Sequence, residues 1–370
     1  MRILYVNICE ERAYTGHRLF DIEWADGLSM IGKVDLIQPH ENWFQNVPEK
    51  INLITYNYDS HDHSVLNTAF FHKGLLERID LHHHVVNGRF FRYIEKLDKM
   101  NRYDVILAAH IDYLMFNFRF WNSKLTKKIY LIEHSPVIYN NKYYRMFCAL
   151  YKNKIKHIVM EKAALPYYIG KLGIKTELVK YIPHPLNVIK EVNTNIINKY
   201  KIVGLSNSNS DLEIQKIVEF EKNTNYFKDH EISVILRSKN IRFDNGALIV
   251  FTGKFGLSFH DFYSYVLNAE MFLLPFPTDF GARTSGTIID GLSNRKPVVG
   301  TMFETMIQYS KDYSEICKTY CTVDEMIEKI EYFLSSDHIQ SQEDDFSRFL
   351  DDRSPDEMKR IYMETFSQMN

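Results

Sequence analysis

Cysteine is scarce in this chain: its 370 residues include only Cys9, Cys148, Cys317 and Cys321. Of these, only Cys317 and Cys321 lie close, one helical turn apart with no third or fourth ligand beside them. A disulfide framework and a structural zinc site are therefore disfavoured, and reduced, buried thiols in a cytosolic protein are expected. Long apolar runs are missing as well. No segment approaches the roughly 18 apolar residues of a membrane span, and the opening MRILYVNI is already a strand pattern without the basic start and apolar core of an export signal. The absence of a G-x-S-x-G elbow, a Walker loop and a G-x-G-x-x-G turn argues against hydrolase, NTPase and dehydrogenase chemistry. Acids and histidines do cluster at Asp59, His61, Asp62 and His63, and again at His82, His83 and His84. The first group has no predicted strand to aim it, and the second spreads its rings over different faces of any regular element. Both are read as surface segments, and no metal site is expected.

The composition that remains is that of a globular protein, with 45% hydrophobic and 25% charged residues. The length favours two domains. A formal net charge of −2 conceals an asymmetry: residues 1–186 hold 25 Lys and Arg against 19 Asp and Glu, and the remainder is acidic, with 20 against 28. Residues 119–180 alone carry 13 basic side chains and only Glu133, Glu161 and Glu177 as acids. Aromatics are interleaved with them: Phe118 just before the stretch, then Phe120, Trp121, Tyr143, Tyr144, Phe147 and Tyr151. That mixture suits an anionic membrane surface, with Lys124, Lys127, Lys128, Arg145, Lys152, Lys154 and Lys156 as the contacting cations. No RNP-like, zinc-finger or helix-turn-helix pattern accompanies the charge, so nucleic acid is not expected as a partner. The protein is expected in the cytoplasm, peripheral on the inner face of the plasma membrane.

Strand patterns at Ile3–Asn7, Val34–Ile37, Ile51–Thr55, Val105–Ala108, Ile129–Ile132 and His157–Met160 alternate with helical ones such as Arg89–Lys99, where Phe90, Ile94 and Leu97 share a face. This rhythm predicts a parallel, doubly wound sheet. It breaks at the turn Tyr181–Asn187, and the polar run Glu191–Asn198 reads as a linker. A second series follows: strands at Lys201–Leu205, Ile232–Arg237, Leu248–Thr252, Met271–Leu274 and Pro297–Gly300, with helices over 211–222, 258–268 and 286–293. The expected organisation is an N-terminal Rossmann-like domain over 1–187, a second over 188–345 facing it across a cleft, and a helical tail over 346–370 crossing back to the first. Ser354, Pro355 and Glu357 give that tail a helix-start signal.

The most informative segment is 271–300, where strand, loop, helix and strand follow in about thirty residues, the pattern of a βαβ unit. Its helix would start at Gly286, at the carboxyl edge of the sheet, where unpaired amides and the helix dipole favour an anion. Thr284, Ser285 and Gly286 are small enough to let a phosphate reach the backbone. Asp290, one turn inside, is placed to accept hydrogen bonds from ribose hydroxyls.

Leu248–Gly253 (LIVFTG), Leu257–Tyr265 (LSFHDFYSY), Ala269–Pro275 (AEMFLLP) and Gly286–Gly300 (GTIIDGLSNRKPVVG) follow one another here. Upstream lie His134 in YLIEHSP, the strand at His157–Met160 and Tyr181–Asn187 (YIPHPLN). In this order they resemble the GT-B glycosyltransferases, in particular the retaining family 4 that includes many bacterial polysaccharide enzymes, over most of residues 129–335. The resemblance implies an α/β GT-B fold that binds a nucleotide-diphosphate sugar on the second domain and an acceptor, a glycan or lipid-linked glycan, on the first. It needs no metal or other cofactor, in keeping with the absence of an Asp-x-Asp triplet. It places Asp290 on the ribose, the amides of Ser285, Gly286 and Thr287 on the diphosphate, and His134 near the donor sugar. It also has the Tyr14-Thr15-Gly16 loop closing over phosphates or acceptor.

Two departures stand out. The family's first acid falls eight positions before Asp290, at Ala282, so Asp279 is the expected sugar contact, through a longer loop. The basic pair after the first strand of the second domain is missing from Gly204–Asp211 (GLSNSNSD). Arg237, Lys254 and Arg283 are the expected substitutes, because a diphosphate in a metal-free site needs positive charge. These departures keep open a non-catalytic GT-B-like subunit that binds glycan or a partner transferase. A GT-B-fold sugar-nucleotide epimerase, with the same phosphate cradle, is also open.

Overall fold

A computed structural model of the chain describes residues 1–7, 15–56, 81–111, 113–120, 123–134, 142–189, 200–253 and 259–366. The chain forms two compact units, the first being Met1–Met160, Ala164–Pro183 and Pro355–Asn370, the second Glu161–Ala163 and His184–Ser354.

In the first unit, strands β1 (Arg2–Asn7), β2 (Lys33–Gln38), β3 (Ile51–Thr55), β4 (Val105–His110), β5 (Ile129–Glu133), β6 (Lys156–Val159) and β7 (Val179–Tyr181) make one sheet in the order β3-β2-β1-β4-β5-β6-β7. All its pairings are parallel. Helices α1 (Thr15–Ser29), α2 (Leu81–Asn101), α3 (Tyr113–Arg119) and α4 (Lys142–Tyr151) connect the strands. Both faces of the sheet are buried, so alternate residues of each strand feed different cores. Leu4, Val6, Ile106, Ala108 and Leu131 pack with Phe90, Phe91, Phe116 and Phe147 on one side. Ile3, Tyr5, Val105, Leu107 and Ile132 pack with Trp24 and Leu28 on the other.

The second unit holds β8 (Ile202–Gly204), β9 (Val234–Ser238), β10 (Phe243–Asp244), β11 (Leu248–Thr252), β12 (Met271–Leu274), β13 (Val298–Thr301) and β14 (Cys317–Tyr320) in the order β10-β11-β9-β8-β12-β13-β14. Only the β10–β11 hairpin is antiparallel. Helices α5 (Asp211–Thr224), α6 (Tyr226–Asp229), α7 (Phe259–Asn268), α8 (Gly286–Ser293), α9 (Glu304–Asp312), α10 (Val323–Leu334) and α11 (Ile339–Asp351) complete it. The last helix, α12 (Pro355–Phe366), belongs to the first unit, where Met358, Tyr362 and Phe366 join the core around Trp24.

The change of unit falls between Pro183 and His184 and again after Ser354, so the expected tail divides: α11 stays with the second unit and α12 does not. Tyr181 ends a strand instead of opening a turn. Cys317 begins strand β14 and Cys321 lies just beyond it, so the helical spacing expected for the pair does not occur; Cys317 is buried and Cys321 exposed. The expected linker and the Asp59–His63 cluster lie outside the described residues, and of His82–His84 only the helical backbone of α2 is described. Among the described residues no group of three or more His, Cys, Asp or Glu is placed to hold a metal ion. No described helix is long and apolar enough to cross a membrane.

Candidate functional site

In the second sheet the chain runs outward from β8 through β9 to β11, then returns to β12 on the other side, so the crevice beyond the carboxyl ends of β8 and β12 is a topological switch point. The two strands approach closely there: a Cβ on Gly204 would lie 2.4 Å from the Leu273 carbonyl oxygen. The following loop is tied down by buried Asn209, whose Nδ2 donates to the Gly204 and Arg237 carbonyls, each at 2.8 Å. The Ser210 N–H donates to the Pro275 carbonyl at 2.8 Å.

Beyond β12 the chain passes through a 3-10 turn, Thr278–Phe280, with Phe280 buried against Phe276 and Phe303. Gly281 takes a φ of 66°, a conformation that favours glycine. The N–H of Thr305 bonds the Gly281 carbonyl at 3.2 Å, and its Oγ1 donates to the Arg283 carbonyl at 2.9 Å. Helix α8 then begins at Gly286. Its cap residue, Ser285, contributes no side-chain cap bond. Gly286 is exposed, and a Cβ there would meet nothing within 4 Å. Among the described residues no cap side chain at Ser285 takes a first-turn amide, which is one condition for an anion to bind there.

Glu161 is buried, and burial pushes its carboxyl up to about 8, against the opposing effects of the Arg353 charge, the Tyr309 hydroxyl and the Ser285 amide.

One turn into α8, Asp290 is half-buried. Its Oδ1 accepts a hydrogen bond from Asn187 Nδ2 at 2.7 Å. Asn187 is fixed in turn: its N–H donates to Ser293 Oγ at 3.1 Å, and its carbonyl accepts Asn294 Nδ2 at 2.8 Å. Burial pushes the Asp290 carboxyl up to about 7, against the opposing effect of the Asn187 bond.

The remaining predicted residues of this unit separate into three situations. Arg237 is buried at the end of β9, with Nη2 donating to the Gly253 carbonyl at 2.9 Å. Arg283 stacks over the Phe280 ring at 5.4 Å, and its buried Nε has no hydrogen-bond partner among the described residues. Among the described residues Arg283 and Asp279 form no ion pair, and Asp279 is exposed. Ala282 is buried, at 2% exposure, so the absent acid is replaced by a packed methyl group. Thr284 and Thr287 flank the cap, half-buried. Lys254 lies outside the described residues.

In the first unit, His134 follows β5. Its Nε2 lies 3.0 Å from the Ala109 carbonyl, and its ring stacks on His110 at 5.2 Å and meets Phe20 at 5.1 Å. Tyr14 is outside the described residues, and Thr15 and Gly16 are described only as the backbone start of α1. The basic stretch 119–180 differs from expectation in its aromatics: Phe120, Tyr144, Phe147 and Tyr151 are core residues, Tyr143 is half-buried and Phe118 is 66% exposed. Several of its cations are also engaged. Lys128 pairs with Asp98 at 3.0 Å, Lys152 donates to the Leu172 carbonyl at 2.9 Å, and Lys156 donates to the Lys127 carbonyl at 3.3 Å.

Sequence reading assigned no role to Glu161, Asn187 or Asn209. A lone acid after a strand carries no spacing signal. Asn187 closes the quoted YIPHPLN run but looks like any turn residue, and Asn209 stands among similar small polar residues.

No protein-family model matches the chain, and no curated protein matches it significantly. Solved structures do. A glycosyltransferase from Rickettsia africae is 14% identical with a TM-score of 0.59, covering 100% of this chain and 98% of that one. WaaG, a glycosyltransferase involved in lipopolysaccharide biosynthesis, is 9% identical with a TM-score of 0.56 and covers 100% of both chains. A trehalose-6-phosphate protein of E. coli, bound with UDP-2-fluoro glucose, is 9% identical with a TM-score of 0.63 and 99% coverage of each chain. At these identities the likeness establishes architecture: the chain has the two Rossmann-like α/β units of the GT-B glycosyltransferase fold.

Proposed function

We propose that this protein is a glycosyltransferase that moves a sugar from a nucleotide-diphosphate donor to a glycan or lipid-linked acceptor in bacterial surface polysaccharide synthesis, with retention and without a metal. The observation that carries the reading is the head of α8: exposed Gly286 with no side-chain cap from Ser285, and Asp290 one turn inside, oriented by Asn187. On this reading the amides of Gly286 and Thr287 and the Arg283 guanidinium stabilise the diphosphate as it leaves, and Asp290 accepts the ribose hydroxyls. Charge that develops late in the reaction is met by dipoles already in place. Asp279 in its exposed turn and His134 in the first unit are the proposed sugar contacts, Arg237 and Lys254 further cations for the diphosphate, and Tyr14-Thr15-Gly16 the loop of the first unit. Assignment to the retaining family 4 rests on the motif order alone. That one similar solved structure holds UDP-2-fluoro glucose supports a nucleotide sugar as donor.

Peripheral attachment to an anionic membrane through 119–180 belongs to the same reading. It rests on Lys124, Lys127, Arg145 and Lys154, which are exposed, more than on the aromatics. A second reading, the non-catalytic subunit, is favoured by one observation, the buried methyl of Ala282 where relatives carry an acid. A thermal-shift screen with UDP, GDP, dTDP and CMP, followed by a donor-hydrolysis assay, separates the two. Stabilisation with turnover supports the transferase, and stabilisation without turnover supports the subunit. No stabilisation by any nucleotide would exclude the donor site at α8.

A further inference from the structure

Near its end, helix α5 carries a fully buried acid. Glu221 is 0% exposed, and both of its carboxylate oxygens are used. Oε2 accepts the Phe227 N–H at 2.8 Å, and Oε1 accepts the Lys228 N–H at 3.4 Å and Asn245 Nδ2 at 2.7 Å. The carboxylate therefore ties α5 to α6 and to the β10–β11 hairpin. Asn245 opens the hairpin turn, with its own N–H donating to the Leu248 carbonyl at 3.3 Å. Its Oδ1 accepts the N–H groups of Ala247 and Leu248, at 3.2 and 2.8 Å. Gly246 follows with a φ of 88°, a backbone conformation that favours glycine, and its N–H donates to Asp244 Oδ1 at 2.9 Å. A turn that needs glycine after asparagine thus creates an Asn-Gly pair, the dipeptide in which the following amide reaches the side-chain carbonyl with least hindrance. The chain's other such pair, Asn87-Gly88, lies within helix α2.

We propose that Asn245 is a deamidation site gated by the fold: native contacts keep it intact, and once the hairpin opens it converts to a carboxylate that cannot repack beside Glu221. In the reaction the Gly246 nitrogen attacks Asn245 Cγ. A Cγ–N bond forms, the Cγ–Nδ2 bond breaks, and ammonia leaves with the proton given up by the Gly246 amide. Water then opens the five-membered imide, adding hydroxyl to one carbonyl carbon and hydrogen to the nitrogen, and leaves aspartate or isoaspartate. The fold opposes the first step at both reacting groups. The Gly246 N–H is engaged by Asp244, and the Asn245 side chain is fixed at Nδ2 and twice at Oδ1, so it cannot turn toward the attacking amide. Opening of the hairpin releases both. After conversion, an oxygen replaces the donor that stood 2.7 Å from Glu221 Oε1. Two carboxylates then meet where Glu221 is shut away from water, a like-charge contact in place of a hydrogen bond. Isoaspartate also adds a methylene to the main chain of a turn whose flanking strands are paired at Asp244 and Ile249.

This inference is independent of the donor site. The full wild-type chain is incubated at mildly alkaline pH, either folded or in guanidinium chloride, and peptide mapping by mass spectrometry reads Asn245 apart from Asn87. Conversion at Asn245 should be at least about tenfold faster in denaturant than in the folded protein, since only the open fraction of the native ensemble reacts. Dilution from denaturant after increasing times should return a native fraction that shrinks as Asn245 is lost, and the refolded molecules should be enriched in intact Asn245. This measurement needs no variant. Asn245→Asp should lower the melting temperature, and Glu221→Gln in that background should recover part of the loss, because the new carboxamide can donate to the new carboxylate. Equal rates in folded and unfolded protein would overturn the gating. The incompatibility with Glu221 would be overturned by refolded molecules that carry converted Asn245 in the same proportion as the unfolded pool. A melting temperature unmoved by Asn245→Asp, or a loss that Glu221→Gln leaves in full, would overturn it as well.

Discussion

Asp290 is pulled in two directions. Recognition of ribose hydroxyls needs a charged, accepting carboxylate, whereas burial favours the neutral acid and pushes the group up to about 7. The Asn187 bond is what holds it toward the useful form, so Asp290 and Asn187 act as a pair. Asp290→Ala is expected to lose about 1–3 kcal/mol of nucleotide affinity, the scale of a charge-assisted hydrogen bond, with the fold retained. Calorimetry with the tightest-binding nucleotide checks this, and unchanged affinity would remove Asp290 from the site. Buried acids also set a pH dependence of stability. Asp21, held by the Tyr5 hydroxyl at 2.8 Å and Asn7 Nδ2 at 2.7 Å, is raised by burial from 3.8 to about 7. A folded-state value above the unfolded one means that the native protein keeps the proton longer. The associated stability is full below about pH 4 and is lost as pH rises through 7. Denaturant unfolding should therefore show stability falling between pH 4 and pH 7, with a shallower fall in Asp21→Asn; an unchanged slope in that variant would show that the group titrates normally.

Helix α8 makes a prediction that separates folding from binding. Gly286 is its first residue, exposed with open space beside it. Aspartate there puts a negative charge at the positive end of the helix, which stabilises by about 0.3–1 kcal/mol. The same charge stands where a diphosphate would sit. Gly286→Asp should raise the melting temperature slightly and abolish nucleotide binding, whereas parallel loss of both would indicate that the position matters only for folding. Elements of this kind were legible in the sequence because their signals are local. Leu248–Thr252, Met271–Leu274 and the helix over 286–293 occur where apolar period and small-residue caps place them. Strand β14 was not legible, since Cys317–Tyr320 (CKTY) is buried only at its two ends with Lys and Thr between them, and Cys317 and Cys321 imitate a helical spacing. The Asn187 bond to Asp290 on α8 was illegible for a different reason: it joins residues more than a hundred apart, and nothing local in either segment reports the other.

At the scale of the whole molecule, charge and aromatic content point in different directions once the fold is known. A basic, aromatic stretch reads as a membrane surface in sequence, yet Phe120, Tyr144, Phe147 and Tyr151 fill the core between α2, α3 and α4, and Lys128, Lys152 and Lys156 have intramolecular partners. Sequence composition cannot make this distinction, because a buried phenylalanine and an interfacial one are the same letter. What remains for a membrane is Lys124, Lys127, Arg145 and Lys154, with Phe118 and Met146 as exposed apolar neighbours on α3 and α4, which are joined by Asn117 Nδ2 donating to the Tyr143 carbonyl at 3.0 Å. Each cation near an anionic surface contributes about 1 kcal/mol, so these few give reversible attachment and not stable anchoring. Flotation with phosphatidylglycerol-containing vesicles should recover a fraction of the protein at low salt. Neutral vesicles should recover none, and salt should release the bound fraction because exposed charges are screened beyond about 8–10 Å at moderate ionic strength. The triple variant Lys124→Glu, Lys127→Glu, Arg145→Glu should lose flotation while keeping its melting temperature, since among the described residues none of the three side chains has an ion-pair partner that the charge change would strand. Equal failure of the wild-type protein to float with both kinds of vesicle would assign these residues to an ordinary solvated face and make a soluble acceptor the better reading.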